Sequence, residues 1–216
     1  MDGSRSIMEY DLFMKTSIVM ATIGFGILAL FAHTVEYFPW DLKISILIQS
    51  WRGLGGLFSL VSWPGYYPQA LVIAIIIVGI MVLSKLYWES LSLVAGLGAS
   101  EIVVHVLKTG IGRLRPMANL VHVNRVLTDG SFPSGHVVDY IVVAGFLLFL
   151  TITLAKKTVW RQLAVTVLVI IILLVGPSRI YLGEHWASDV LGGYLLGIVL
   201  LWLTVKLYRF CNKLNI

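Results

Sequence analysis

Three short stretches hold most of the residues able to do chemistry: "KTGIGRLRP" at 108–116, "FPSGH" at 132–136 and "SRIYLGEHWASDV" at 178–190. They supply three cations, Lys108, Arg115 and Arg179, and cations brought together call for an anion. Arginine offers a planar fork that fits phosphate oxygens, and lysine a point charge. Gly110, Gly112 and Gly135 let backbone N–H groups approach an oxyanion, and Ser134 adds a hydroxyl donor. His185 and Asp189 are four residues apart, so a helix starting near His185 would carry both on one face. An aspartate at one ring nitrogen fixes the tautomer and supports positive charge, which leaves the other nitrogen as a nucleophile. His136 is a second imidazole, suited to protonating a leaving oxygen. One histidine attacks, the other donates, and the cations hold the developing charge: the set points to phosphoryl transfer.

Other chemistries compete for the same residues. His136, His185 and Asp189 are also an acceptable metal-ligand set. Three neighbouring cations would repel a divalent ion, so neither a metal nor any other cofactor is expected. Phosphate ligands alone would suit a lipid binder or transporter that cleaves nothing; the histidines argue for turnover, and a phosphate-release assay separates the two. A serine hydrolase built on Ser134 lacks the G-x-S-x-G elbow.

The elements that position these groups are membrane spans. Of 216 residues 58% are hydrophobic and only 12% charged, which excludes an ordinary soluble domain. The apolar runs are continuous, which implies helices and not a barrel. Six spans are expected, at about 15–32, 66–84, 88–108, 137–154, 162–176 and 186–207. The first is read as a retained helix, because no small-residue cleavage site follows it. Between spans 1 and 2, residues 33–65 mix Trp40, Trp51 and Trp63 with Lys43 and Arg52, a headgroup-level pattern that predicts interfacial helices. Residues 109–136 carry loop punctuation. The expected architecture is a single all-α domain over 1–216, with a bilayer and its lipids as partners, no nucleic acid, and an oligomeric state the sequence leaves open. Cys211 is the sole cysteine, so no internal disulfide forms.

With six spans both termini share a side. That side carries Arg5, Lys15, Lys85, Lys156, Lys157, Arg161, Lys206, Arg209 and Lys213; the other carries Lys43, Arg52, Lys108, Arg113, Arg115, Arg125 and Arg179. The nine-to-seven margin predicts cytoplasmic termini in a cell membrane and a site facing outwards.

Lysine, six residues, then Arg-Pro; Pro-Ser-Gly-His; and Ser-Arg, five residues, His, three residues, Asp together resemble the three signature motifs of the type 2 phosphatidic acid phosphatase family. They are complete and in order over 108–189, and the size and span plan resemble the bacterial phosphatidylglycerophosphatase members. The resemblance implies a membrane lipid phosphatase without metal. It implies Lys108, Arg115, Ser134, Gly135 and Arg179 as phosphate ligands, His136 as general acid, His185 as nucleophile and Asp189 as its orienter. The resemblance implies phosphatidylglycerol phosphate as the substrate, with undecaprenyl pyrophosphate as the alternative.

Weaker expectations surround this set. Glu101, His105 and Lys108 follow i, i+4, i+7 spacing, so Glu101 and His105 either line the headgroup path and brace Lys108 or are satisfied by neighbouring helices. Arg113 and Arg125 are read as headgroup-level anchors, Tyr181 and Trp186 as interface anchors, and Glu184 as solvated. Asp139 bonds His136 if the backbone curls suitably. Gly193 and Gly197 are read as small-residue helix packing.

Overall fold

The computed structural model of the chain describes residues 3–213, with side chains from Met14 onward; the ends of the expected single domain lie outside the described residues. The described residues form α1 (Gly3–Thr34), α2 (Pro39–Gln49), α3 (Gly55–Ser62), a 3-10 turn (Trp63–Gly65), α4 (Gln69–Leu83), α5 (Tyr87–Ile111), α6 (Gly135–Leu154), α7 (Val159–Tyr181) and α8 (Ala187–Lys213). Five helices are long and apolar enough to cross a bilayer, namely Met14–Thr34 of α1 together with α5, α6, α7 and α8. The chain is an all-helical, multi-pass membrane protein.

The second span departs from expectation. A straight helix over 66–84 is predicted, yet α4 has only 15 residues. The segment Gly55–Gly65 precedes it with a bend of 64°, and only taken together are the two long and apolar enough to cross a bilayer. Pro64 and Pro68 supply no N–H to a helical ladder, so the chain cannot run straight through the elbow. α3 is therefore part of this span as well as part of the predicted interfacial stretch. Trp40, Trp51 and Trp63 are exposed, as a headgroup-level segment requires.

α6 and α8 form the centre. α6 packs on α7 and α8, and α8 also carries α1 and α5. Gly193 and Gly197 set the α6–α8 approach: a methyl at Gly193 would sit 2.9 Å from Ser134 O, and one at Gly197 would sit 2.8 Å from Ile141 Cβ. The absence of a side chain there lets the backbones close up.

Local chemistry then fixes where the helices end. α5 stops at Gly112, whose φ of 62° returns its N–H to Lys108 O. α7 extends past its predicted end and carries Pro177 inside it, two residues before Arg179. The proline leaves the carbonyls one turn back short of a donor, and the Tyr194 hydroxyl bonds Ile172 O at 2.8 Å. α8 begins at Ala187, so His185 lies in the preceding turn and not on the helix. Asp189 is the third residue of α8 and accepts from the N–H of Trp186 at 2.8 Å, the bond that the acid of a capping box makes back to the cap residue.

Candidate active site

The three motif stretches meet at one end of the bundle, where α5 and α7 finish and α6 and α8 start. His185 is the centre of the cluster. Its Nε2 lies 3.3 Å from Arg115 Nη1, and its Nδ1 faces Asp189 Oδ2 at 3.7 Å. An arginine can only donate, so Nε2 presents its lone pair and Nδ1 carries the hydrogen, towards the carboxylate. Burial, then the charges of Arg115, Lys108 and Arg179, push the His185 imidazole well below the usual histidine range; Asp129 opposes them weakly. A neutral ring keeps on Nε2 the lone pair a nucleophile needs, and here that lone pair accepts from Arg115.

Gly135 and His136 open α6 after its cap residue Ser134; the Ser134 N–H donates to Asp189 O at 3.1 Å, and the Gly135 N–H has no intrahelical acceptor. The His136 ring stands edge-on to Tyr66, with centroids 4.9 Å apart, and Arg179, His185, Lys108 and Arg115 are within electrostatic reach. Three buried polar atoms here have no hydrogen-bond partner, Ser134 Oγ, His136 Nε2 and Arg179 Nε; His185 Nδ1 also lacks one, but it faces Asp189 at 3.7 Å. Buried polar atoms are normally satisfied, so a cluster of orphans marks a place where a ligand supplies the partners. Donors on cationic and hydroxyl groups suit an oxyanion. Among the described residues no group of three His, Cys, Asp or Glu side chains is arranged to hold a metal ion.

The cations differ in their surroundings. Arg179 is buried against Glu184 in an ion pair, and its Nη1 donates to the Tyr66 hydroxyl at 3.0 Å. Lys108 and Arg115 both pair with Asp129, and Arg115 also donates to the Glu184 carbonyl. Beside them opens a cavity of about 440 Å³ lined in part by His105, Lys108, Thr109, Arg115 and Asp129.

Several expectations change at this point. Arg113 is not a headgroup anchor: it is buried and pairs with Asp41 at 2.9 Å and Asp189 at 2.6 Å. Glu184 is not solvated; it is 1% exposed and also accepts from the Tyr66 hydroxyl. Trp186 is buried, stacked on Tyr37, with its Nε1 donating to Leu114 O, so it is no interface anchor. Tyr181 packs against Phe58 in the core cluster. Asp139 accepts from Ser100 Oγ and not from His136. Lys108 is braced by Asp129; His105 lines the cavity, while Glu101 is exposed and away from it. His185 and Asp189 do not share a helix face, because His185 precedes α8. Arg125 is exposed as expected, but its guanidinium lies over the Tyr66 ring at 4.5 Å.

Sequence reasoning missed Asp41, Tyr66, Asp129 and Ser131. Ser131 Oγ donates to Asp189 Oδ2 at 2.5 Å. Asp129 and Ser131 had the one available signal, polar side chains a few residues before the Pro-Ser-Gly-His motif.

A multi-span helical bundle with cations, histidines and orphaned donors gathered at one end defines a membrane phosphatase. The chain belongs to the PAP2 superfamily, which it matches over residues 89–213. It is 33% identical to phosphatidylglycerophosphatase B of Bacillus subtilis over 202 residues, covering 88% of this chain and 95% of that one. It is also 33% identical to an undecaprenyl-diphosphatase of Sulfolobus acidocaldarius over 121 residues, 54% of each chain. The crystal structure of the PAP2-type phosphatidylglycerolphosphate phosphatase of Bacillus subtilis superimposes with a TM-score of 0.77 at 29% identity, covering 91% of this chain and 96% of that one.

Proposed function

We propose that this phosphatase removes the terminal phosphate of phosphatidylglycerol phosphate through a phosphohistidine on His185, without a metal. The observation that carries the mechanism is the His185 ring, neutral, with Nε2 turned to Arg115 and Nδ1 to Asp189. Nε2 attacks phosphorus as the ester P–O bond breaks, and His136 delivers a proton to the leaving glycerol oxygen. Positive charge on the phosphorylated ring faces Asp189. Lys108, Arg115, Arg179, Ser134 and the N–H of Gly135 hold the equatorial oxygens. Water, deprotonated by the now neutral His136, then attacks phosphorus; the N–P bond breaks and inorganic phosphate leaves.

Phosphatidylglycerol phosphate is favoured because similarity to the Bacillus subtilis phosphatidylglycerophosphatase extends through nearly the whole chain, well beyond the motifs. Undecaprenyl pyrophosphate is the second reading, supported by the half-chain similarity to an undecaprenyl-diphosphatase. The site would face the extracytoplasmic side, with the termini cytoplasmic. Arg113, Arg115, Lys108 and Arg179 sit in the cluster and not in a bare loop, which widens the basic bias towards the termini.

Rapid quenching with labelled phosphatidylglycerol phosphate should trap acid-labile, alkali-stable phosphate on the protein, absent in His185→Ala, and activity should survive EDTA. Turnover in His185→Ala at the wild-type rate, or loss in EDTA restored by zinc, would replace this mechanism with a metal-dependent one. A panel comparing kcat/KM for phosphatidylglycerol phosphate, undecaprenyl pyrophosphate and phosphatidic acid decides the substrate.

A further inference from the structure

Asp189 is engaged on every side but the one facing His185. Oδ1 accepts from Arg113 Nη1 at 2.6 Å; Oδ2 accepts from Ser131 Oγ and from Trp186 N–H. Arg113 in turn reaches away from the site: Nη2 donates to Asp41 Oδ2 at 2.9 Å, and Nε donates to Glu36 O at 3.1 Å. Asp41 lies in the first turn of α2, upstream of all three motifs. It accepts from Ser188 N–H and Ser188 Oγ, each at 2.7 Å, and from Phe38 N–H at 2.9 Å. The side chains of Asp41, Arg113 and Asp189 are wholly inaccessible to solvent.

The partners of both carboxylates are donors, which matches two ionised groups, since a carboxylate only accepts. Two carboxylates around one guanidinium leave the cluster with one net negative charge. Were Asp41 absent, Arg113 and Asp189 would form a neutral pair, and the carboxylate behind His185 would have its charge offset by the arginine. With Asp41 present, the guanidinium is divided between two anions. The excess charge remains for the ring beside Asp189, in a buried place where charge acts strongly. The same bonds tie α2 to the first turn of α8, so they hold the carboxylate in place as well as setting its charge.

We infer that Asp41 and Arg113 are positioning residues for the phosphatase reaction, acting through Asp189 to keep a net negative charge behind His185 as it takes up the phosphoryl group. The inference rests on the reading of Asp189 as the partner of the nucleophile. Asp41→Asn keeps the shape and removes the charge. With phosphatidylglycerol phosphate in mixed micelles, kcat should fall roughly 10- to 100-fold, the scale for groups that orient a functional side chain from behind. KM should stay near wild type, because no phosphate ligand is touched. In an Asp189→Asn background the same change should cost nothing further, since its effect passes through that carboxylate.

If Asp41→Asn does not accumulate as folded protein, Arg113→Lys, which keeps the charge but loses the fork that holds Asp189 to Asp41, runs the same cycle on the hold alone, and kcat should again fall only where Asp189 is present. An unchanged kcat, an equal fold-loss in both backgrounds, or a loss confined to KM overturns the inference. Wild-type kcat in Asp189→Asn itself overturns the parent reading instead; a large loss there with none in Asp41→Asn overturns only this one.

Discussion

Asp189 and Asp129 are two aspartates at the same end of the bundle, each paired with an arginine, and they are held in opposite ways. Asp189 is sealed: Arg113, Ser131 and the Trp186 N–H fix both its oxygens out of reach of water. Asp129 lies in the loop between α5 and α6 with 54% of its side chain exposed, and it spans Lys108 and Arg115 at the edge of the cavity. Burial pushes its carboxyl up, but hydrogen bonding and charge from Lys108, then Arg115, outweigh this and hold it below the usual carboxylate range. It is therefore an anion on the very cations assigned to phosphate. On the proposed mechanism, one half of the site is assembled permanently, and the other is occupied by a carboxylate that an arriving phosphate would replace. Rigid placement serves the nucleophile, which must be aimed before substrate comes, whereas exchangeable pairing serves the rim, which must open.

The sharpest test of the sealed half is Asp189→Asn. It should keep the fold and lower kcat on the order of 10³- to 10⁴-fold, the scale seen when an amide replaces the carboxylate behind a catalytic histidine. A loss under tenfold in steady-state assays would mean that the buried network serves packing alone. Next in size, Arg179→Ala should lower kcat/KM by about 10²- to 10³-fold, as for a lost oxyanion donor. It should also lower the thermal midpoint, because Glu184 is left buried without its cation. Adding Glu184→Gln should recover the midpoint but not the rate; recovery of both would take Arg179 out of the chemistry.

A smaller effect is expected from Gly65→Ala at the elbow, where the new methyl would fall 2.4 Å from His136 Cδ2. The ring must move, and kcat should fall roughly 10- to 100-fold, as misplacing a reacting group by about 1 Å does. The loss should shrink with an activated aryl phosphate, which needs no proton from His136; equal losses for both substrates would show a general distortion. The smallest effect belongs to the exchangeable half. Asp129→Asn should tighten vanadate inhibition by about two- to fivefold, the worth of an exposed ion pair. Weaker or unchanged inhibition would mean that Asp129 does not compete with the phosphate.

What was legible in the sequence is what local spacing encodes. The residues proposed as phosphate ligands and both histidines lie at or beside helix ends within three contiguous motifs, so the span boundaries suffice to bring them together. Asp41 gives no such sign. It reads as an acid beside Pro39 and Trp40 at a helix start, and its partner lies 72 residues away. Arg113 and Arg125 look alike in composition, and only packing separates the sealed one from the exposed one. Tyr66 is hidden for a further reason: the window covering it is apolar enough for a straight helix, and two prolines turn it into an elbow that faces the site. The five long spans were legible because continuous hydropathy decides them without reference to any neighbour.

That elbow has a consequence for the membrane around it. At ~1.5 Å per residue α4 rises only roughly 22 Å, against a hydrocarbon thickness of ~30 Å. On this flank the lipid layer must pinch inwards or meet the bent segment part-way down. Host bilayers of longer acyl chains stretch the mismatch and shorter ones relieve it. The segment Gly55–Gly65 has to make up what α4 lacks, so the thickness of the surrounding lipid bears on the bend beside Tyr66.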